Sequence, residues 1–297
     1  MKGSAAAFVG VVALCLLAGC GGKSADPADP AASAAADAGS SAKRGTLEWA
    51  VAGDWRIPVE KQRDAARHPV ETLEFFGLKS SDTVVEIWPG GGWYTAILGP
   101  WLKSGGGRLI AAEVDPNLSA EARRDVDAYS AAFIARPQTY GDIQLTVASK
   151  DSPGVAPDGT ADAVLTFRNI HNWMAGGYAD KMFQDFYRAL KPGGVLGVVE
   201  HRLPSRADQD LSARSGYVSE AYVIQLAEAA GFKLDGESDV NANPKDDANH
   251  PLGVWMLPPN MRAPAAGSPE AAGYDPAAYE AIGESDRMTL RFRKPAE

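Results

Sequence analysis

Short apolar segments alternate with amphipathic segments along most of the chain after Thr46, and this alternation constrains the fold more than any other feature. The apolar segments are rich in Val, Ile and Leu, which is typical of buried strands. The segments between them repeat apolar side chains at helical spacing. Strands separated by helices form a parallel sheet with helices on both faces, so the sequence predicts an α/β fold with a doubly wound, mainly parallel sheet.

The pattern predicts one domain over residues 46–297 with an irregular, proline-containing insertion over residues 241–286, before the last strand. The predicted helices are Pro69–Phe76, a short helix that ends near Leu102, Ser119–Arg136, Asp180–Leu190 and Ser219–Ala230. The predicted strands are Thr83–Trp88, Arg108–Glu113, Ile143–Ala148, Ala161–Phe167, Val195–Val199, Phe232–Val240 and Arg287–Lys294.

The N-terminal segment differs from the rest in composition. An apolar run from Ala5 to Ala18 is too short to span a bilayer as a stable helix, and it ends at Cys20. The ending Leu-Ala-Gly-Cys resembles a bacterial lipoprotein signal, which implies a signal peptide over 1–19, a lipid on Cys20 and a lipid-anchored location on the periplasmic side of the cell envelope. A short buried helix is the alternative. Residues 20–45 are small and polar, which predicts a disordered tether.

Charge and cysteine usage exclude several functions. The chain has 29 basic and 38 acidic residues, a net charge of -9, and an acidic surface repels nucleic-acid phosphate and anionic lipid. We therefore expect no nucleic-acid partner, and membrane contact only through the lipid anchor. Both cysteines, Cys15 and Cys20, lie in the N-terminal segment, so the mature chain should contain no disulfide and no thiolate metal site. A small-molecule site is compatible with this composition.

A run of three glycines follows the first predicted strand. In open parallel sheets, ligands bind outside the carboxyl ends of the strands, and glycine lets the backbone approach a ligand closely. Glu113 ends the second strand, where a carboxylate can accept both hydroxyls of a ribose. A tight turn without a ligand is the alternative. The predicted cofactor-binding residues are Glu86, Gly90, Gly91, Gly92, Tyr94 and Glu113.

Val84 to Gly92, together with Glu113 and the turn Leu190–Gly194, resembles the class I S-adenosylmethionine-dependent methyltransferases. The resemblance covers roughly residues 68–240 and the last strand, and Pro89 to Thr95 resembles a group of predicted methyltransferases with export signals. It implies strand order 3-2-1-4-5-7-6 with strand seven antiparallel, S-adenosylmethionine as methyl donor and a small-molecule acceptor. Trp88 stands where the family has glycine, so its indole either caps the adenosine side of the pocket or obstructs it.

Candidate catalytic residues follow strands four and five. His171 is a candidate general base at neutral pH, and Asn169 or Asn172 is a candidate for orienting the acceptor. A histidine that caps the next helix or bonds a loop carbonyl is the alternative for His171. Glu200 to Arg202, after strand five, form a second candidate group with the same alternative.

Two further histidines, His68 and His250, fall at predicted loops or helix starts. Arg63, Asp64 and His68 precede the first helix and either touch the ligand or form a solvated charged face. The histidines show no spacing typical of a metal site, so no metal is assigned. The alternative function is a non-catalytic envelope protein with the methyltransferase fold that binds another small ligand or a metal.

Overall fold

The structure is a computed structural model that describes residues 42–296. The predicted signal peptide, Cys20 and most of the predicted tether lie outside these residues. Within them, every helix is too short or too polar to cross a membrane.

Seven strands form one sheet in the order β3-β2-β1-β4-β5-β7-β6. Strands β1 to β5 pair in parallel, whereas β7 runs antiparallel to both β5 and β6. The predicted doubly wound fold and its strand order are therefore confirmed. The strands are β1 (Thr83–Ile87), β2 (Arg108–Glu113), β3 (Gln144–Val147), β4 (Ala161–Phe167), β5 (Leu190–His201), β6 (Lys233–Ser238) and β7 (Arg287–Arg293).

Helices cover both faces of the sheet, because β1, β2 and β4 alternate their apolar side chains between two buried cores. Val85 and Ile87 pack against one group of helices, and Val84 packs against the other. The helices are α1 (Leu47–Ala52), α2 (Pro58–Lys61), α3 (Asp64–Arg67), α4 (Pro69–Phe76), α5 (Thr95–Gly105), α6 (Ala120–Tyr129), α7 (Pro137–Tyr140), α8 (Ile170–Gly176), α9 (Ala179–Ala189), α10 (Glu220–Ala229) and α11 (Pro276–Ile282).

The fifth strand begins earlier than predicted. Helix α9 ends at Ala189 and β5 begins at Leu190, so the predicted turn is part of the strand. The Gly194 carbonyl accepts a hydrogen bond from the Lys294 backbone N–H at 2.9 Å, so pairing with the C-terminal segment continues beyond Val195. The register with β4 shifts between Ala161 and Ala163 to accommodate the extra residues. Tertiary pairing thus overrides the local Pro-Gly-Gly turn signal.

Two other segments differ in part from their predicted secondary structure. The long helix predicted over 119–136 is α-helical only over Ala120–Tyr129 and continues as a π-helical turn over Ser130–Ile134. The insertion 241–286 is mostly irregular, as predicted, but it contains α11 and two short 3-10 turns, Gly253–Met256 and Pro269–Ala271.

Candidate functional site

The glycine turn joins β1 to α5 at the point where the strand order reverses between β1 and β4. Gly90 and Gly92 have φ angles of 57° and 78°, which disfavour other residues. A Cβ added at Gly90 or Gly91 would meet no heavy atom within 4 Å, whereas one at Gly92 would lie 2.1 Å from the Phe133 ring. Gly90 and Gly91 therefore border open space that a ligand can enter, and Gly92 allows close packing of the turn on Phe133.

Glu86 is buried on β1 and is hydrogen-bonded to Thr95, the first residue of α5. Its side chain is 2% exposed, and Thr95 donates a hydrogen bond to Glu86 Oε2 at 2.7 Å. The Thr95 hydroxyl is also 3.1 Å from the Tyr129 hydroxyl. Burial raises the pKa of Glu86 to about 8, against the hydrogen bond from Thr95, and the nearby charge of Glu113 raises it further. The Glu86 carboxyl is therefore mainly protonated at neutral pH.

Glu113 stands on the neighbouring strand beside the turn. Ile87 pairs with Ala112, and the Trp88 backbone N–H donates to the Ala112 carbonyl at 2.8 Å, so β1 and β2 end together. The Glu113 side chain is buried, and its Oε2 accepts a hydrogen bond from the Val114 N–H at 3.3 Å. Burial raises the pKa of Glu113 to about 7, so this group changes charge near neutral pH.

The side chain of Trp88 has a defined place at this edge. Trp88 has a φ of 46°, and its indole N–H donates to the Ala148 carbonyl, just after β3, at 2.7 Å. Because β2 lies between β1 and β3, the indole crosses the end of β2. It also makes an edge contact with Trp173 at a centroid distance of 5.6 Å. The indole is thus a fixed wall of the cavity described next.

A cavity of about 280 Å³ opens in front of the turn. It is lined by Glu86 of β1, by Gly90 and Gly91 of the turn, and by Arg168 and Asn169, which follow β4. The Tyr94 ring stacks on Phe167 at a centroid distance of 3.6 Å and an interplanar angle of 12°, which gives the cavity an aromatic wall.

A second cavity, of about 430 Å³, lies on the α6 side of Gly90 and Gly91. Asp125, Tyr129 and Phe133 line it. Of the predicted cofactor residues, Glu86, Gly90, Gly91 and Tyr94 thus border the smaller cavity, whereas Glu113 lines neither cavity.

The two candidate catalytic groups meet at the ends of β4 and β5. His171 Nδ1 lies 3.1 Å from Glu200 Oε1, and Glu200 also accepts hydrogen bonds from the backbone N–H groups of Ile170 and His201, at 2.6 and 2.9 Å. Glu200 is fully buried and so fixes the imidazole of His171. Asn169 lines the smaller cavity, and its amide N–H₂ group donates to the Ile87 carbonyl at 2.9 Å.

His201 lies beside this pair. Its ring centroid is 5.5 Å from that of His171, and its Nδ1 lies 2.6 Å from the Ser285 hydroxyl. Burial lowers the pKa of His201 well below its usual value, and positive charges, including Arg168, lower it further. His171, Glu200 and His201 offer ligand atoms that all lie within 4.8 Å of one another, which is close enough to hold a metal ion.

The other two histidines have different surroundings. Within the insertion, His250 Nε2 lies 2.8 Å from Asp246 Oδ1. Asp246 also accepts a hydrogen bond at 2.9 Å from the hydroxyl of Tyr217, which lies outside the insertion. Asp246, Asp247 and His250 form a second group with metal-ligand geometry. The Nδ1 atom of His68 is buried and has no hydrogen-bond partner among residues 42–296.

A cluster of arginines around Glu284 also borders the smaller cavity. The sequence did not predict this cluster. Glu284 accepts hydrogen bonds from Arg63, Arg67 and Arg287 at 2.8 to 3.1 Å. Arg63, a predicted ligand contact, and Arg67 line the cavity, while Asp64 pairs with Arg56 at 2.6 Å instead. No local motif indicates this cluster, because Glu284 and Arg63 are 221 positions apart.

One protein family matches the middle of the chain. Residues 85–198 match the methyltransferase domain family. This match includes the glycine turn, Glu113 and His171, and it ends before Glu200. No curated protein matches the chain.

Solved structures share the fold. The (4+2)-cyclase SpnF is 17% identical with a TM-score of 0.54, and the similarity covers 82% of this chain and 85% of SpnF. A protein from Galdieria sulphuraria, assigned as a sarcosine dimethylglycine methyltransferase, is 15% identical with a TM-score of 0.50, over 80% of this chain and 87% of that protein. The methyltransferase domain implies S-adenosylmethionine as the methyl donor.

Proposed function

We propose that this chain is an S-adenosylmethionine-dependent methyltransferase that acts on a small-molecule acceptor. The observation that carries the proposal is the open space along Gly90 and Gly91 at the end of β1, with Glu113 at the end of the adjacent β2. Both features lie within the matched residues 85–198. The backbone of the turn and the carboxyl group of Glu86 line the smaller cavity and would hold the donor there, and Glu113, which lines neither cavity, would contact the donor's ribose from the end of β2. When bound, the donor supplies a methyl group on a sulfonium.

The chain's own residues would position the acceptor and remove its proton. If Nδ1 of His171 donates to Glu200 Oε1, Nε2 carries the lone pair that would take the acceptor's proton. His171 is buried and lines neither cavity, so the acceptor would have to reach it past Asn169, which lines the smaller cavity. The Asn169 side-chain oxygen accepts no hydrogen bond from the described residues and is available to orient the acceptor. Asn172 is exposed on α8, so Asn169 is the better placed of the two predicted amides.

Calorimetry of the full chain with S-adenosylmethionine and S-adenosylhomocysteine tests the donor site. We expect Glu113→Ala to weaken binding of both by about 10- to 100-fold, because a carboxylate that accepts hydrogen bonds is lost. Glu121→Ala, on the exposed face of α6, is the matched control. Absence of binding to the unaltered chain would refute the proposal.

The role of His171 is tested by comparing binding with transfer. We expect His171→Ala to leave donor affinity nearly unchanged and to slow formation of S-adenosylhomocysteine when an envelope extract supplies acceptors, by about 100-fold or more. Weaker donor binding in this variant would instead place His171 in the donor pocket.

A second candidate is a protein of this fold that binds a small ligand without transferring a methyl group. SpnF shares this fold and is named as a cyclase. Its similarity to this chain supports the second candidate, because a fold does not by itself determine the chemistry. Donor binding without formation of S-adenosylhomocysteine in any extract would support it.

We further propose that the protein is anchored in the cell envelope through a lipid on Cys20. The support is the sequence Leu17-Ala18-Gly19-Cys20 after a short apolar run. Replacing Cys20 by Ala should move the protein from the membrane fraction to the soluble fraction of a bacterial host and abolish labelling by a radioactive fatty acid. Unchanged fractionation and labelling would refute the anchor.

A further inference from the structure

Arg168 differs from the other arginines around the smaller cavity. It follows β4 with a φ of 62°, and its backbone N–H donates to the Val199 carbonyl at 2.7 Å. Arg168 lines the cavity, and no residue in the described part of the chain accepts a hydrogen bond from its guanidinium group. Arg63 and Arg67, in contrast, are both paired with Glu284.

The neighbouring charges do not neutralise Arg168. Three guanidinium groups, those of Arg63, Arg67 and Arg287, already share the single carboxylate of Glu284. Burial lowers the pKa of Arg168 and the positive charge of Arg287 lowers it further, while the charge of Glu284, which three other arginines share, only partly opposes this. Arg168 is half-buried, and a cation at a cavity wall without a side-chain partner among the described residues favours an anionic ligand.

A metal ion is the competing occupant, because His171, Glu200 and His201 lie next to Arg168. The positive charges of Arg168, Arg67 and Arg287 all act on His201. The same charges would repel a metal cation, and they attract an anion. The charges around Arg168 therefore favour an anion over a metal.

We propose that the methyl acceptor carries a carboxylate and that Arg168 binds it. This inference rests on the proposed function. Guanidinium groups bind carboxylates through two parallel hydrogen bonds. Arg168 precedes the predicted base His171 by three residues and lines the same cavity as Gly90 and Gly91 of the glycine turn. A carboxylate on Arg168 would hold the rest of the acceptor in the cavity that Gly90, Gly91 and Asn169 also line.

Benzoate and its neutral analogue benzamide test the proposal in the full chain. The cavity of about 280 Å³ has the aromatic wall of Tyr94 and Phe167, and a smaller cavity suffices for one benzene ring. Each compound is titrated into protein saturated with S-adenosylhomocysteine, so that the donor's own carboxylate is already bound. We expect benzoate to bind at least about tenfold more tightly than benzamide.

Variants test whether Arg168 causes the tighter binding of benzoate. Arg168→Gln should abolish the preference for benzoate over benzamide. Arg168→Lys should retain part of this preference and show that the fold tolerates replacement. Arg214→Gln, which removes an arginine whose side chain is 85% exposed, should leave it unchanged. Equal binding of benzoate and benzamide to the unaltered chain would overturn the proposal, and so would a preference that survives in Arg168→Gln.

The donor also carries a carboxylate that Arg168 could bind. Comparing S-adenosylhomocysteine with its decarboxylated analogue distinguishes the donor's carboxylate from the acceptor's. If Arg168→Gln weakens S-adenosylhomocysteine but not its decarboxylated analogue, Arg168 serves the donor and the proposal is overturned. If S-adenosylhomocysteine does not bind the unaltered chain, the proposed function fails. Benzoate and benzamide titrated without it still decide whether Arg168 binds carboxylates.

Discussion

Replacing Glu86 by Gln should change how the stability of the protein depends on pH. The pKa of Glu86 is about 8 in the folded chain, against an ordinary value of 4.5, because burial disfavours the charged form. A raised folded pKa contributes stability that is fully present below pH 4.5 and is lost as the pH rises through 8. A glutamine side chain at this position cannot ionise, so the variant should not lose this contribution.

The expected size follows from the two pKa values. One pKa unit corresponds to about 1.4 kcal/mol, so between pH 4 and pH 7 Glu86 should cost the folded state roughly 3 kcal/mol. Glu113, with a pKa raised to about 7, acts in the same direction but is present in both proteins. The difference between wild type and Glu86→Gln therefore mainly isolates Glu86.

Urea unfolding followed by circular dichroism, at several pH values from 4.5 to 8, measures this difference. The free energy of unfolding of Glu86→Gln should exceed that of wild type by an amount that grows with pH. Glu121→Gln, on the exposed face of α6, controls for the loss of a surface carboxylate. A difference that stays constant over this range would mean that Glu86 is already ionised in the fold, and the description of the buried acid would be wrong.

Two further predictions concern the stability of variants at Glu284 and in the glycine turn. Burial favours a raised pKa for Glu284, but Arg67 and two further arginines hold this pKa at about 2. Glu284→Gln should therefore destabilise the folded protein by about 3 kcal/mol at pH 7, and by progressively less as the pH falls from 4.5 to 2. Urea unfolding over that range checks this, and an unchanged difference would contradict it. Gly92→Ala should destabilise by about 3 kcal/mol or more, because the new Cβ meets Phe133, whereas Gly91→Ala should stay within about 1 kcal/mol of wild type. Equal thermal unfolding of the two would contradict the packing described at the turn.

Most of the sheet was predictable because its signals are local. The apolar segment Thr83–Ile87, the glycine turn and Glu113 at the end of β2 are each visible in a few consecutive residues. The predicted start of β5 was wrong because its Pro-Gly-Gly segment has a local turn signal. The strand extends to Leu190 because Leu190 pairs with Ala161 of β4 and because Gly193 and Gly194 pair with Lys294 after β7.

The candidate site was predicted only in part. His171 and Glu200 were separate candidates after two strands, and the sequence did not indicate that they pair. The direction of the Trp88 indole was left open, because a side chain at a positive φ follows its packing partners rather than the alternation of a strand. The unpaired guanidinium of Arg168 is visible only once its surroundings are known.

The sequence by itself determined the order of strands and helices along the chain, the glycine turn and the acid that follows it, since periodicity and backbone freedom are properties of neighbouring residues. Only the tertiary structure decided which distant charges meet. Glu284 reaches Arg63 because β7 inserts next to β5 and the insertion returns to the cavity. Contacts between residues far apart in sequence depend on how the chain packs, and no local period records them.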